Sequence, residues 1–262
     1  MRPAACALAL VLALAAARPA RAAGPDVERA IGFILAQRAK DGSFGKTNKV
    51  AITAMCGLAL LASGTTPTEG PLTGTLRDAI AWTLSRQRQD GAFVDPSDGY
   101  SAIHNHGYAL TLLAECYGMT GLDETENARL RRAIQAGIRV TVASQTANGG
   151  FSYFLYDNPD DPATAGATDM WRDDEASTTV SQVQALRAAR NAGFAVPGDA
   201  IARALDYLAR CQHETGGFIY SLAGHKVSAW DDAKEPSFAV TAASLCALQA
   251  LGRYREGAVE RG

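Results

Sequence analysis

Apolar residues recur at three- and four-residue steps in eight stretches of the chain, and these stretches are of two kinds. Residues 27–39, 75–89, 127–147 and 199–213 are amphipathic; in the last, Ile201, Leu205, Leu208 and Ala209 fall on one face. That spacing predicts helices with one side in water. Residues 50–62, 106–117, 177–191 and 238–251 are rich in small and aliphatic side chains and carry few charges, which predicts helices buried on more sides. Each of these closes near a glycine, Gly64, Gly118, Gly193 or Gly252. The two kinds alternate, and no strand-like alternation occurs. The pattern therefore predicts an all-α chain of eight helices in four hairpins.

A short motif recurs in all four hairpins. Phe44, Phe93, Phe151 and Phe218 are preceded, always by 11 residues, by Phe33, Trp82, Val140 and Tyr207. Gln87, Gln145 and Gln212 stand six residues before the phenylalanine, and Gly91, Gly149 and Gly216 four residues after the glutamine. In the first copy Gln37 comes one residue early and Arg38 takes its place. The phenylalanines are 49, 58 and 67 residues apart, so a fixed motif is separated by lengthening loops on one face. The amphipathic helix is expected to run to the glutamine and stop at the glycine. The glutamine amide would satisfy exposed backbone groups of the turn or of the next unit, and the phenylalanine would lock stacked hairpins together.

The N-terminus is read apart from this array. Residues 4–17 are an apolar run after Arg2, too short for a bilayer span. Ala20 and Ala22 supply small residues at a cut. Residues 1–22 are thus expected to be an export signal, with a retained anchor as the alternative, and residues 23–262 one repeat domain. Losing the signal removes three arginines and no acids, taking the formal charge from −2 to −5. An acidic chain without a basic stripe excludes nucleic acid as an expected partner. Cys56, Cys116, Cys211 and Cys246 sit in helical apolar patterns without a CxxC pair, and buried free thiols are expected.

The stretch Arg203-Ala204-x-x-Tyr207-Leu208-x-x-x-Gln212-x-x-x-Gly216-x-Phe218 resembles the QW repeat of squalene–hopene cyclases, with Phe for the usual Trp. Arg29-Ala30-x-x-Phe33 opens the first copy in the same way. The resemblance extends to protein prenyltransferase β subunits, and residues 174–193 also look like secreted bacterial prenyltransferase/squalene-oxidase-repeat proteins of unassigned activity. It implies an α/α toroid with inner helices around a central cavity. Such a toroid uses about a dozen helices, so eight imply an open arc, a small ring, or a ring completed by a partner.

Chemistry is expected in the loops after each phenylalanine, whose ends lead into the inner helices. The family's acid motif, Asp-x-Asp-Asp, resembles Trp171-Arg172-Asp173-Asp174 here. Asp173 and Asp174 become the catalytic candidates, although Trp171 replaces the first aspartate and Arg172 favours ionised carboxylates, the wrong state for protonating an alkene. Capping of the next helix is the other reading of these acids. Trp171, Arg172, Glu175, His104, His106, Tyr100, Tyr156, Trp230, Asp231 and Asp232 are the binding candidates. His106 is expected to start an inner helix and face the cleft. His104-x-His106 has no third ligand at metal spacing, and no metal or cofactor is expected. Three readings stay open: a binding or scaffold module for an isoprenoid, lipid or peptide, an isoprenoid cyclase or prenyltransferase, and a structural protein that self-associates or takes a partner chain to complete the ring.

Overall fold

The structure is a computed structural model that describes residues 24–95, 102–117, 119, 124–156, 173–223, 234–253 and 257. Among the described residues eight helices follow one another: α1 (Pro25–Ala36), α2 (Lys49–Ala62), α3 (Thr73–Ser85), α4 (Ala102–Tyr117), α5 (Glu124–Ala143), α6 (Ala176–Asn191), α7 (Gly198–Arg210) and α8 (Phe238–Ala250). The inner helices α2, α4, α6 and α8 pack each on the next, and outer helices lie against them. This is the all-α array of four hairpins that the periodicity predicts, in the toroid-like arrangement that the resemblance implies. The burial follows composition. α4 and α6 bury most of their length, whereas α1 buries no residue.

The outer helices end earlier than their pattern implies, at Ala36, Ser85, Ala143 and Arg210. A tight reversal follows, and it is the same in all four copies. One backbone N–H donates across the turn: Ala39 to Ser43, Arg88 to Ala92, Thr146 to Gly150 and His213 to Gly217. A glycine N–H then bonds back: Gly42 to Ala39, Gly91 to Arg88, Gly149 to Thr146 and Gly216 to His213. The glycine sits inside this reversal and does not cap the helix. Its φ lies between 87° and 102° in the four copies, a region open to glycine without strain.

These turns set the stacking register. A side chain on Gly42, Gly91 or Gly149 would strike Asp78, Ala136 or Arg203 of the following outer helix. Each struck residue lies 15 residues before the next repeat phenylalanine. Gln87 Nε2 donates to Gly91 O at 3.0 Å and to Ala133 O at 2.8 Å; Gln145 Nε2 donates to Gly149 O and Ala200 O, both at 2.8 Å. One amide thus ties its own turn to the next unit. Gln212 Nε2 donates to Gly216 O at 2.8 Å. Phe44, Phe93, Phe151 and Phe218 are all fully buried.

The residue 11 before the phenylalanine reaches back to the preceding unit. Trp82 Nε1 donates to Asp41 Oδ2 at 3.1 Å, and the Tyr207 hydroxyl donates to the Asp174 carbonyl. Phe33, on the first outer helix, is 70% exposed. Cys116 and Cys211 are buried, Cys56 is half-buried and Cys246 is exposed, all as free thiols. The expectation of buried thiols therefore fails at Cys246, which lies on an open side of α8. No helix among the described residues is long and apolar enough to cross a membrane.

Candidate functional site

The N-terminal ends of the inner helices decide where polar chemistry can gather, because each follows a loop that crosses from the outer layer. The first turns of these helices repeat one device. Phe44 N–H donates to Thr53 Oγ1 at 2.9 Å, Phe93 N–H to His106 Nδ1 at 3.2 Å, Phe151 N–H to Thr179 Oγ1 at 3.1 Å, and Phe218 N–H to Thr241 Oγ1 at 2.8 Å. A side-chain acceptor in each inner helix thus seats the repeat phenylalanine's backbone.

His106 is one of these four seats. Accepting at Nδ1 fixes its proton on Nε2, which faces Gly137 O and Thr141 Oγ1, each at 3.1 Å. Both nitrogens are committed, and burial lowers the imidazole pKa to about 4. α4 starts at Ala102, so His106 is its fifth residue and not its start, and it stacks on Phe93 and joins α5 rather than facing a cleft. The other half of the pair differs. His104 stands edge-on to Tyr153, ring centres 5.5 Å apart. Its Nδ1 is sealed from solvent with no hydrogen-bond partner. Burial lowers its pKa to about 4 as well, so the ring is neutral at neutral pH.

Asp174 lies against the third turn. Its Oδ2 accepts from Thr146 Oγ1 at 2.5 Å, and its carbonyl accepts from the Tyr207 and Ser221 hydroxyls. A side chain on Gly150 would strike it. The carboxylate is therefore built into the turn. Asp173 is half-buried. The helix cap falls on neither aspartate: Glu175 holds the N-cap position of α6, and its side chain makes no capping bond.

Glu175 is the carboxyl that stands among aromatic hydroxyls. It is 2% exposed. Its backbone fixes it between two repeats, with Glu175 N–H donating to Phe151 O and Ala176 N–H to Tyr220 O. Around it the Tyr153 and Tyr220 hydroxyls meet at 3.2 Å, and Ser177 Oγ lies 3.1 Å from the Tyr220 hydroxyl. Burial raises the Glu175 pKa to about 8; hydrogen bonds from Tyr153, Tyr220 and Ser177 oppose the rise, and the Asp173 charge adds to it. The carboxyl is thus largely protonated at neutral pH and can donate a hydrogen bond.

Tyr156 points elsewhere, its hydroxyl 3.5 Å from the Asp90 carbonyl at the second turn. Tyr100, Trp171, Arg172, Trp230, Asp231 and Asp232 lie outside the described residues. No group of three or more metal-ligating side chains occurs among the described residues. Sequence reading undervalued Tyr153, Tyr220 and Ser177, and it missed the seats Thr53, Thr179 and Thr241. The seats had a signal, since they stand four or five residues into each inner helix, but His106 in the second copy hid the repetition.

Comparison with known proteins comes to the same architecture. The model of the prenyltransferase alpha-alpha toroid domain matches residues 1–94 and 181–261. Drimenyl diphosphate synthase of Streptomyces showdoensis is 28% identical over 210 residues, 76% of this chain and 34% of that enzyme. The chain therefore spans about a third of the length of that relative. A solved polysaccharide lyase shares the fold with a TM-score of 0.60 at 16% identity, over 87% of this chain and 67% of the other. A protein from Actinoplanes aligns at a TM-score of 0.42 and 17% identity, over 90% and 77%.

Proposed function

Starting from a chain that belongs to the prenyltransferase alpha-alpha toroid family, we propose an exported binding module that holds an apolar ligand by its polar end. The observation that carries this reading is Glu175, buried and protonated up to about pH 8 beside Tyr153 and Tyr220. A neutral carboxyl and two hydroxyls form a donor-rich but uncharged cluster. Such a cluster suits a hydroxyl, carbonyl or carboxylate at the end of a greasy body, which can exchange hydrogen bonds with these hydroxyls. His104 Nδ1 adds a neutral acceptor or donor a few ångströms from Tyr153. Family likeness supplies the scaffold only, since one fold carries many activities.

A second reading rests on the same carboxyl. Cyclising an isoprenoid needs a neutral acid to protonate an alkene, and Glu175 is held in that state. The likeness to drimenyl diphosphate synthase favours it, over a third of that enzyme's length. Against it, Asp174, which matches the family's acid motif, accepts from Thr146 at the turn.

Native mass spectrometry of the purified mature chain, before and after denaturation, tests the binding reading. A small apolar molecule released on denaturation, and absent from Glu175→Ala, is the expected result. An empty chain that also fails to bind a panel of long-chain alcohols and fatty acids overturns it. Cyclised product from farnesyl diphosphate, lost in Glu175→Gln, would establish the enzyme reading instead. Peptide sequencing of the exported protein should start near Ala23; a start at Met1 would show that the N-terminal segment is retained.

A further inference from the structure

The outer surface carries a second feature that the inner cluster does not use. Arg129, Arg132 and Arg139 are exposed on α5, and with Arg88 from the second turn they line a cavity of about 400 Å³. At 100° per residue the three α5 positions fall within an arc of about 80°, spaced about 4.5 and 10.5 Å along the axis. Arg88 pairs with Asp90. Arg129, Arg132 and Arg139 form no ion pair among the described residues. Like charges on one helix face repel each other. They do so here in a chain that is acidic overall, and their alignment on α5 corrects the reading that the chain has no basic stripe.

The cavity is otherwise mostly polar and rich in amides. Leu84 and Ala136 line it together with Gln89 and Gln135. On the other flank of α5, a cavity of about 560 Å³ is lined by Ile138, Val142, Ala195 and Pro197, and it shares Gln135 and Arg139 with the first. The two cavities meet at Gln135 and Arg139 and form a path along α5, with guanidinium groups lining the first and mostly apolar side chains the second.

We propose that this path is a docking surface for an extended acidic peptide segment of a partner protein. Arg129, Arg132 and Arg139 would take side-chain carboxylates through two-pronged hydrogen bonds. Gln89 and Gln135 would bond the peptide backbone, whose alternating donors and acceptors match an amide. An apolar side chain of the peptide would fill the hollow beside Val142. The apolar lining is what favours a peptide over a polyanionic glycan or nucleic acid, neither of which has a greasy group to bury there.

Fluorescence anisotropy with the mature chain and a labelled peptide of alternating glutamate and leucine tests the assignment. Binding is expected at about 50 mM salt, weakening as salt rises past about 200 mM. The double variant Arg132→Glu/Arg139→Glu should weaken it about tenfold or more, by charge reversal at the rim. Val142→Asp should weaken it too, and an unchanged melting curve for both variants would show that they fold. No binding by the wild type, or binding untouched by the double variant, overturns the proposal. So does a lysine–leucine peptide binding equally well. Heparin or polyphosphate binding more tightly than the acidic peptide, with Val142→Asp neutral, would assign the groove to a polyanion instead.

Discussion

The seat of Phe93 and the surroundings of Glu175 are both buried polar sites at the start of an inner helix, yet they are built in opposite ways. At the seat, His106 commits both nitrogens, and Thr53, Thr179 and Thr241 do the same work in the other three repeats. Among the described residues the arrangement at Glu175 occurs once. There a carboxyl is kept protonated, and a histidine nitrogen nearby has no partner. The repeated seats close the stack; beside the unrepeated carboxyl, His104 Nδ1 has bonding capacity over. In a fold made of copies, departure from the copy is therefore a better guide to function than polarity or burial alone.

The sharpest break in the comparison comes from the phenylalanines. Phe93 is fully buried between its turn and α4, so Phe93→Ala should cost about 3–5 kcal/mol in denaturant unfolding. Phe33→Ala, at an exposed position of α1, should stay within about 0.5 kcal/mol. Similar losses for the two would mean that the turn is a spacer and not a lock.

Glu175→Gln probes the other side. The folded carboxyl keeps its proton to about pH 8, whereas an unfolded glutamate loses it near its ordinary value of 4.5. The contribution is thus fully present below about pH 4.5 and is lost as pH rises toward 8, by an amount on the order of several kcal/mol. Gln cannot ionise. The variant should match the wild type near pH 4.5 and melt at a higher temperature near pH 8.5. Parallel pH profiles for the two proteins would show that Glu175 ionises freely.

The eight helices, their pairing and the repeat register could be read from the sequence because each rests on local spacing repeated four times. The exact helix ends could not. The fixed glycine looked like a helix stop, whereas its N–H closes a reversal after the helix has ended. Site reading failed differently. Asp173 and Asp174 drew attention because they resemble a known motif, but which carboxyl is buried among hydroxyls depends on how Phe151 and Tyr220 bracket the start of α6. Those two residues are 69 apart in sequence. His104 and His106 differ for a similar reason. On a helix they point in different directions, and only the packing of α5 against α4 commits one of them.

Thr179→Val tests whether the seats matter one at a time. It keeps the shape but leaves the buried Phe151 N–H without its acceptor, which should cost about 1–3 kcal/mol. A neutral result would mean that water or a shifted backbone replaces the bond.

A small stability effect should also come from His104→Phe, and it separates structure from function most cleanly. The unbonded Nδ1 already bears its desolvation without return, so an aromatic ring of similar shape should change stability by less than about 1 kcal/mol at pH 7. The sign should turn at acid pH. A histidine whose pKa falls from 6.5 to about 4 on folding destabilises the native state as pH drops through that window. His106 shares the same depression, so the informative quantity is the difference between wild type and variant: His104→Phe should lose less stability between pH 6.5 and 4. If His104 also serves a ligand, the same variant should bind it more weakly at pH 7 while melting normally. Unchanged binding would confine the site to Glu175 and the two tyrosines.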